Sequence, residues 1–325
     1  MDTRGLACIR ARTATKHTKK GRKGMKKTII FILSCCILCT VCESGASAGQ
    51  VVGDDDRAWA KTAIGQEQSQ GTIAARNTLA VLAFRNKTGQ TPLDPLQKGF
   101  AFMLMTDLNQ VEGIQVLERV KLQALLEELK LGASGIVDSS TSPRVGKLLG
   151  ASYLVGGDIT SSQAPEISVQ SDLLQVKDQS SLGQPSANGQ PEMIFDMEKK
   201  VLFEIIELLK VRLTKAQKEK LKKPLTTSYR ALIYLSLGLD ASDRGNYGAA
   251  DFYYRKALEQ DPQLTPATNA IKELHDLKLV TLNPRSRAVL ATQEEQNSSM
   301  LSTSRNISTF REFRPAASGE IRVRW

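Results

Sequence analysis

The stretch that most constrains this chain runs from residue 78 to residue 158, where apolar runs of strand length alternate with amphipathic segments of helix length. In order, they cover residues 79–84, 94–110, 114–117 and 120–131, a short helix opened by Ser142 and Pro143, and residues 153–155. The first run is too short for a helix and too continuously apolar for a strand with one exposed face, so it predicts a buried central strand. The alternation predicts an α/β domain.

Helix and strand ends are marked within this stretch. Asp94 followed by Pro95 predicts a helix start with Asp94 as the N-cap residue. Gly156 and Gly157 end the third strand and predict a sharp turn or bulge; no glycine-rich phosphate-binding motif accompanies them. Further along, the pattern predicts a strand over 167–176, a loop over 180–191 and a helix over 195–213 that packs across the sheet.

The first 48 residues predict a signal peptide. Lys26 and Lys27 precede an apolar run over residues 28–42, and residues 46–48 read Ala-Ser-Ala, the small residues that signal peptidase requires. Met25 is the natural start of such a signal. The apolar run is shorter than the ~20 residues that a membrane-spanning helix needs. The sequence therefore predicts export with residues 1–48 as the leader, and a retained membrane anchor is an alternative.

All five cysteines lie within the first 42 residues. The chain after the leader can therefore form no disulfide and no thiolate metal site. The spacing of Cys36, Cys39 and Cys42 suits a metal site, but it falls inside the apolar run, so we interpret it as part of the leader. Lipidation at Cys35 or Cys42 is the alternative to plain cleavage, because residues 32–35 loosely resemble a lipobox.

The net charge of +10 is concentrated in the leader. Residues 1–48 hold ten Lys or Arg and two Asp or Glu, which leaves 34 basic and 32 acidic residues and a net charge near +2. This balance and an aromatic content of 5% argue against a nucleic-acid partner. Residues 49–76 lack periodicity and predict a loosely ordered linker, with Asp54, Asp55 and Asp56 as a solvated charge run rather than a cation site.

Three pieces of the α/β stretch together carry a family resemblance: the run at 79–84, Gln-Val-Leu-Glu-Arg at 115–119, and the Gly-Ala, strand and Gly-Gly pattern at 145–158. They resemble the exported assembly domain shared by curli-secretion (CsgG-like), flagellar FlgO-like and TolB amino-terminal-like proteins. The resemblance implies that residues 77–213 form a small mixed-sheet α/β sandwich that works in the bacterial envelope and can oligomerise. Pore-forming members add amphipathic membrane hairpins, whereas residues 167–176 are one short alternating run.

Residues 231–264 resemble one tetratricopeptide unit within a helical module over 214–280. The signature positions fall on Tyr234, Leu237, Gly238, Ala250, Tyr254, Ala257 and Pro262. Ala241 departs from the pattern, which places a large aromatic there. No second copy is evident, so residues 266–279 predict a capping helix, because a lone repeat cannot bury its own faces. The resemblance implies a protein-binding groove; the alternative is a plain helical hairpin packed on the main domain.

The chain after the leader lacks the parts of common active sites. His275 is its only histidine and lies on the polar side of the predicted capping helix, where it is expected to be solvated. Nucleophile–histidine systems and zinc sites therefore lack residues. Asp107, Glu112 and Glu118 are the carboxylates considered for glycoside hydrolysis. We predict no enzyme, no cofactor and no metal site.

Residues 281–325 are rich in Ser, Thr and Arg and predict a disordered tail. Together, these features predict an exported, non-enzymatic adaptor or assembly protein in the periplasm or at the periplasmic face of the outer membrane. Its predicted partners are envelope or secreted proteins, and other copies of itself. Two alternatives stay open: a lipid-anchored subunit of an outer-membrane secretion channel, and a periplasmic binding protein for a small molecule or glycan.

Overall fold

The computed structural model describes residues 50–67, 77–132, 134–138, 140–161, 163 and 165–280. The signal peptide, the lipidation residues Cys35 and Cys42, and the tail from residue 281 lie outside the described residues, so all three stay predictions. The described residues fall within one compact unit of the chain.

One mixed sheet lies at the centre. Its strands in the described residues are β1 (Thr78–Val81), β2 (Arg85–Asn86), β3 (Gln115–Val116), β4 (Tyr153–Thr160), β5 (Ile167–Gln175), β6 (Ser180–Gly183) and β7 (Ser186–Gly189). The order is β3-β1-β4-β5-β6, with β2 beside β4 and β7 beside β5. Strand β1 pairs in parallel with β3 and β4, and β2 pairs in parallel with β4. Strand β5 pairs antiparallel with β4, β6 and β7. The predicted mixed-sheet α/β class, followed by helices, is confirmed.

Helices cover both faces of the sheet. They are α1 (Asp54–Gly65), α2 (Leu96–Leu108), α3 (Arg119–Glu128), α4 (Ser142–Leu149), α5 (Ile194–Leu208), α6 (Lys215–Leu221), α7 (Tyr229–Asp243), α8 (Tyr247–Gln260) and α9 (Thr265–Asp276). Leu79 and Val155 point toward α2 and α5, whereas Ala80 and Leu154 point toward α1, α3 and α4. Strand β1 is buried at every position because both of its sides are covered, as the sequence predicted.

The predicted linker before β1 is wrong over its described part, because residues 54–65 form α1. The three aspartates occupy the first turn, where acidic side chains stabilise the helix dipole, and the Asp56 carboxylate accepts a hydrogen bond from the Gly53 N–H at 2.9 Å. Ala60 is buried against the core that α3 and α4 share. The helix lacks a regular apolar stripe, which is why periodicity missed it.

The predicted loop over residues 180–191 is also wrong, because most of it forms β6 and β7 along the edge of β5. Close packing explains one of its glycines, Gly183. A Cβ on Gly183 would lie 2.7 Å from a methyl carbon of Leu208 in α5, so a side chain there would collide with the helix. Backbone pairing with β5, rather than side-chain propensity, makes these residues strands.

Two predicted boundaries differ for local reasons. The glycine pair makes no turn: β4 runs on through Gly156 and Gly157 to Thr160. Helix α2 begins at Leu96 after a 3-10 turn, so Asp94 is not its N-cap residue. The Asp94 carboxylate instead accepts a hydrogen bond from the Asn86 side-chain amide at 2.7 Å.

Candidate protein-binding groove

Helices α7 and α8 form the hairpin that the sequence predicted. The Ser228 hydroxyl accepts from the Ala231 N–H at 3.2 Å, and the Asn246 side chain accepts from the Ala249 N–H at 3.3 Å, so each helix starts on a side-chain cap. Gly245 turns the chain between them with a φ of +71°. The hairpin geometry is as expected, and its identification as a tetratricopeptide unit stays a prediction.

Two of the signature residues, Gly238 and Tyr254, form a close contact between the two helices. Gly238 faces the ring of Tyr254, and a Cβ there would lie 2.4 Å from a ring carbon. Ala250, Tyr254 and Ala257 are buried, Tyr234 and Leu237 are half-buried, and Pro262 is exposed just after α8. Ala241, which departs from the pattern, is buried.

A second face of α7 packs on the α/β part. At this crossing Gly99 of α2 approaches Ser236 and Leu232 of α7, and a Cβ on Gly99 would lie 2.3 Å from the Ser236 hydroxyl oxygen. The helices can approach this closely only because residue 99 has no side chain. The hairpin is therefore seated directly on α2.

Buried charges reinforce this contact. Asp243, at the end of α7, has a side chain that is only 2% exposed. One of its carboxylate oxygens lies 2.6 Å from Nη1 of Arg119, and the other lies 2.8 Å from Nζ of Lys98. Burial alone would lower the pKa of the Arg119 guanidinium, but the charge and hydrogen bond of Asp243, together with Tyr254 and Glu273, outweigh it and the pKa is raised. Asp243 thus joins the hairpin to α2 and α3 of the α/β part.

The segment before α1 adds to the same junction. Arg119 donates a hydrogen bond to the carbonyl of Gln50. The backbone N–H groups of Gln50 and Val51 donate to the Glu273 carboxylate of α9, at 2.6 and 3.2 Å. Residues that the sequence assigned to a linker therefore connect the α/β part with the last described helix. None of these contacts could be predicted from periodicity, because each joins residues far apart in the chain.

A groove of about 260 Å³ runs along the junction. We call it the junction groove; its lining includes Pro92, Pro95 and Gln97 on one wall, and on the other Ile233, Leu237 and Asp240 of α7 with Arg244 directly after that helix. The three α7 residues and the C-cap residue Arg244 are spaced by four, three and four, so they share one face at the end of the helix. Burial raises the pKa of Asp240, but Lys98 and Arg244 outweigh it and hold that pKa below its usual range. The groove has an apolar floor with charges of both signs at its rim.

A second cavity, of about 410 Å³, lies against strands β4 and β5, next to Ser142 at the start of α4. We call it the sheet pocket; its polar lining includes Arg85, Asp158, Gln170, Asp172, Gln184 and Ser186. The Asp158 carboxylate lies 2.6 Å from Arg85 and 2.7 Å from Lys87. Burial raises the pKa of Asp158. The two cations together lower that pKa by a larger amount, so it lies below the usual aspartate range. None of the lining residues is aromatic.

The residues considered for chemistry lie apart from both cavities. Glu112 and Glu118 are exposed, Glu118 being the N-cap residue of α3. Asp107 is buried between α2 and α5 in contact with Lys199. His275 is half-buried, with Nε2 3.2 Å from a guanidinium nitrogen of Arg255. Among the described residues, no group of His, Cys, Asp and Glu could hold a metal ion, and no helix is long and apolar enough to cross a membrane.

The cluster around Asp107 makes stability depend on pH. Burial, followed by the charge of Asp107, raises the pKa of Glu198 to about 8, although Lys199 lies 3.2 Å away. Between pH 4.5 and about 8 the folded protein keeps a proton on Glu198, whereas the unfolded chain has released it. The free energy of unfolding therefore falls as the pH rises through this range. Glu198→Gln should reduce this decline by at least ~1 kcal/mol in urea unfolding across that range.

The control for this experiment is Glu207→Gln, an exposed residue of the same helix. It should keep the wild-type decline, because its side chain is already solvated. An equal decline in the Glu198→Gln and wild-type proteins would show that the buried carboxyl does not titrate as described.

Comparison with known proteins covers mainly the α/β part. Residues 61–164 match the family model described as "Curli production assembly/transport component CsgG". No curated protein matches the chain. Similar solved structures include the LpoB C-terminal domain from Escherichia coli, which is 13% identical with a TM-score of 0.31 over 42% of this chain and 98% of that one. TolB from Acinetobacter baumannii is 20% identical with a TM-score of 0.28, over 43% of this chain and 30% of that one. Lipoprotein GNA1162 from Neisseria meningitidis is 13% identical with a TM-score of 0.28, over 35% of this chain and 80% of that one. Residues 61–164 of this chain are thus similar to the CsgG family.

Proposed function

We propose that this protein is an exported, non-enzymatic adaptor of the bacterial cell envelope that binds an extended segment of a partner protein in the junction groove. The family match over residues 61–164 supports an envelope-related protein. The observation that carries the adaptor role is the groove itself, whose two walls come from the α/β part and from α7. Because buried charges hold these walls together, the groove is formed before a partner arrives, which lowers the ordering cost of binding.

The lining of the groove indicates the kind of segment that fits. Pro92, Pro95, Ile233 and Leu237 offer an apolar floor for one or two large side chains. Asp94 on one rim and Arg244 on the other can pair with charges of either sign that flank them. This combination of an apolar anchor with flanking polar contacts is typical of peptide recognition.

Site-specific photocrosslinking in cells tests this proposal. A photoreactive amino acid replaces Asp94 or Arg244 at the rim of the groove, or Lys272 on α9 as the control. The side chain of Lys272 is 74% exposed and that of Arg244 is 61% exposed, so both positions reach solvent. We expect the same exported or envelope protein to be linked from both rim positions and not from position 272.

A floor substitution sharpens the result. Leu237→Glu places a charge among apolar groove residues and should reduce the adduct from position 94 about tenfold, equivalent to ~1.4 kcal/mol of binding. Lys272→Glu should leave it unchanged. Thermal unfolding of both variants shows whether the fold is intact. Equal adducts from all three positions, or a cytosolic protein as the linked partner, would contradict the adaptor role.

The sheet pocket favours a second candidate, binding of a small polar molecule. Its carboxylates, amides and guanidinium could contact hydroxyl groups, as in a glycan, although its lining offers no aromatic ring for stacking. Thermal stabilisation by one compound from a library of sugars and polar metabolites would support this candidate. Loss of that stabilisation in Gln170→Ala would assign the compound to the pocket.

The channel alternative has less support from the fold. A channel subunit of this family would need amphipathic strands free to enter the membrane. The alternating run at residues 167–175 is instead β5, which pairs on both edges within the central sheet. Ile167, Val169 and Leu173 of this strand are buried in the core rather than available to lipid.

A further inference from the structure

A dense basic segment follows α5 and lies on the surface. Residues 210–223 contain seven basic residues and one acidic residue, Glu219. We call the seven the basic patch: Lys210, Arg212, Lys215, Lys218, Lys220, Lys222 and Lys223. All seven are exposed. Neither the adaptor role nor the two cavities uses them.

The structure fixes these charges in place. Helix α6 begins with a capping box in which the Gln217 N–H donates to the Thr214 hydroxyl at 3.2 Å, and the Thr214 N–H donates to the Gln217 side chain at 2.9 Å. Leu221 is 1% exposed and anchors the inner side of the helix in the core. The remaining arc of the helix faces solvent and carries Lys215, Lys218 and Lys220. The patch is therefore a fixed surface and not a loose chain end.

Few of these charges are neutralised within the protein. In the part of the chain that the structure describes, only Lys222 has a carboxylate partner, Glu219 at 2.7 Å. Nζ of Lys218 lies 5.8 Å from the centre of the Phe203 ring. A solvated helix face would more often alternate its charges and pair them. Six net positive charges on one short surface are instead typical of a binding site for an anionic partner.

Charge distribution over the rest of the chain points the same way. Residues 49–325 have a net charge near +2, so the chain after the leader is net acidic outside the basic patch. Such an uneven charge distribution along the chain favours approach of the patch to a negatively charged surface. A small anion would need one converging pocket, whereas these exposed side chains are distributed along residues 210–223, before, on and after α6, and fit an extended surface.

We propose that the basic patch binds the anionic headgroups of a phospholipid membrane and holds the protein against it with α6 toward the lipid. This role is independent of the junction groove and of lipidation at Cys35 or Cys42. Each Lys or Arg at an anionic membrane contributes attraction that salt screens within about a Debye length. Binding should therefore increase with the anionic lipid fraction and weaken as salt is raised.

Vesicle co-sedimentation of the protein purified after export tests this proposal. The vesicles are phosphatidylcholine, with or without about one third phosphatidylglycerol. The patch variant is Lys215→Gln, Lys220→Gln and Lys223→Gln, three exposed residues with no carboxylate partner among the described residues. The control variant is Lys61→Gln, Lys130→Gln and Lys278→Gln. These three lysines are exposed and lie on α1, after α3 and after α9, and their substitution lowers the net charge by the same three units as the patch variant. Lys218 and Lys222 stay in place, so their contacts with Phe203 and Glu219 are kept.

We expect the patch variant to lose about a hundredfold in partitioning to anionic vesicles, and the control variant to lose less than about threefold. Equal losses in the two variants would mean that only net charge matters and would overturn the proposal. So would equal binding to neutral and anionic vesicles, or patch-dependent binding to a single-stranded oligonucleotide without binding to anionic vesicles. Millimolar inorganic phosphate should not displace the protein; displacement would assign the patch to free phosphate. Groove crosslinking should be normal in the patch variant, which separates this test from that of the adaptor role.

Discussion

Asp243→Ala is expected to lower the free energy of unfolding by about 3–5 kcal/mol. The substitution removes the carboxylate that pairs with Arg119, whose side chain is only 13% exposed, whereas Lys98 keeps the Asp240 carboxylate at 2.9 Å. Buried charges without a partner are costly because the protein interior cannot solvate them as water does. Chemical denaturation followed by circular dichroism measures the loss, and the groove should open at the same time, since Asp243 joins α7 to α2 and α3.

The matched control is Asp276→Ala in α9. Asp276 also pairs with a lysine, Lys272 at 2.5 Å, but both side chains are mostly exposed, at 61% and 74%. Removing it should change stability by no more than about 0.5 kcal/mol. A second variant isolates the charge effect: in the triple substitution Lys98→Met, Arg119→Met and Asp243→Leu, no charge remains unpaired, so much of the stability should return. A cost below about 1 kcal/mol for Asp243→Ala would mean that the network does not hold the junction.

The sequence predicted elements well where both periodicity and packing are local. Strand β1, helix α2 and the α7–α8 hairpin each carry their own apolar pattern, so their existence could be read from neighbouring residues. Strands β6 and β7 carry no such pattern, because they are defined by backbone pairing with β5. Helix α1 was missed for a related reason: its acidic first turn is a helix-start signal, but its buried side is narrow.

The candidate site was predictable only in part. Leu237 was singled out as a signature residue, and it does line the junction groove. The opposite wall comes from Pro92, Pro95 and Gln97, more than a hundred residues earlier in the chain. Their approach to α7 depends on Gly99, whose missing side chain allows the two helices to touch. A glycine within an apolar helical stripe is the one local signal that could have indicated a helix crossing at that point.

Gly157→Ala is expected to cost about 3 kcal/mol of unfolding free energy, because the sheet has no room for a methyl group there. A Cβ at this position would lie 2.0 Å from the backbone carbonyl oxygen of Gln170 in β5 and 2.8 Å from the ring of Phe84. The first neighbour is backbone within a paired strand, and Phe84 is fully buried, so neither can move aside cheaply. Thermal and urea unfolding should both show the loss.

The preceding residue provides the control within the same strand. A Cβ on Gly156 would meet only Leu82, at 3.4 Å, which is ordinary contact. Gly156→Ala should therefore stay within about 1 kcal/mol of the wild type, and the lower backbone entropy of alanine in the unfolded chain can make it slightly stabilising. The two adjacent glycines thus have different roles, one required by close packing of β4 on β5 and one replaceable. Similar costs for the two substitutions would show instead that the pair acts through backbone flexibility, as the turn expected from sequence would require.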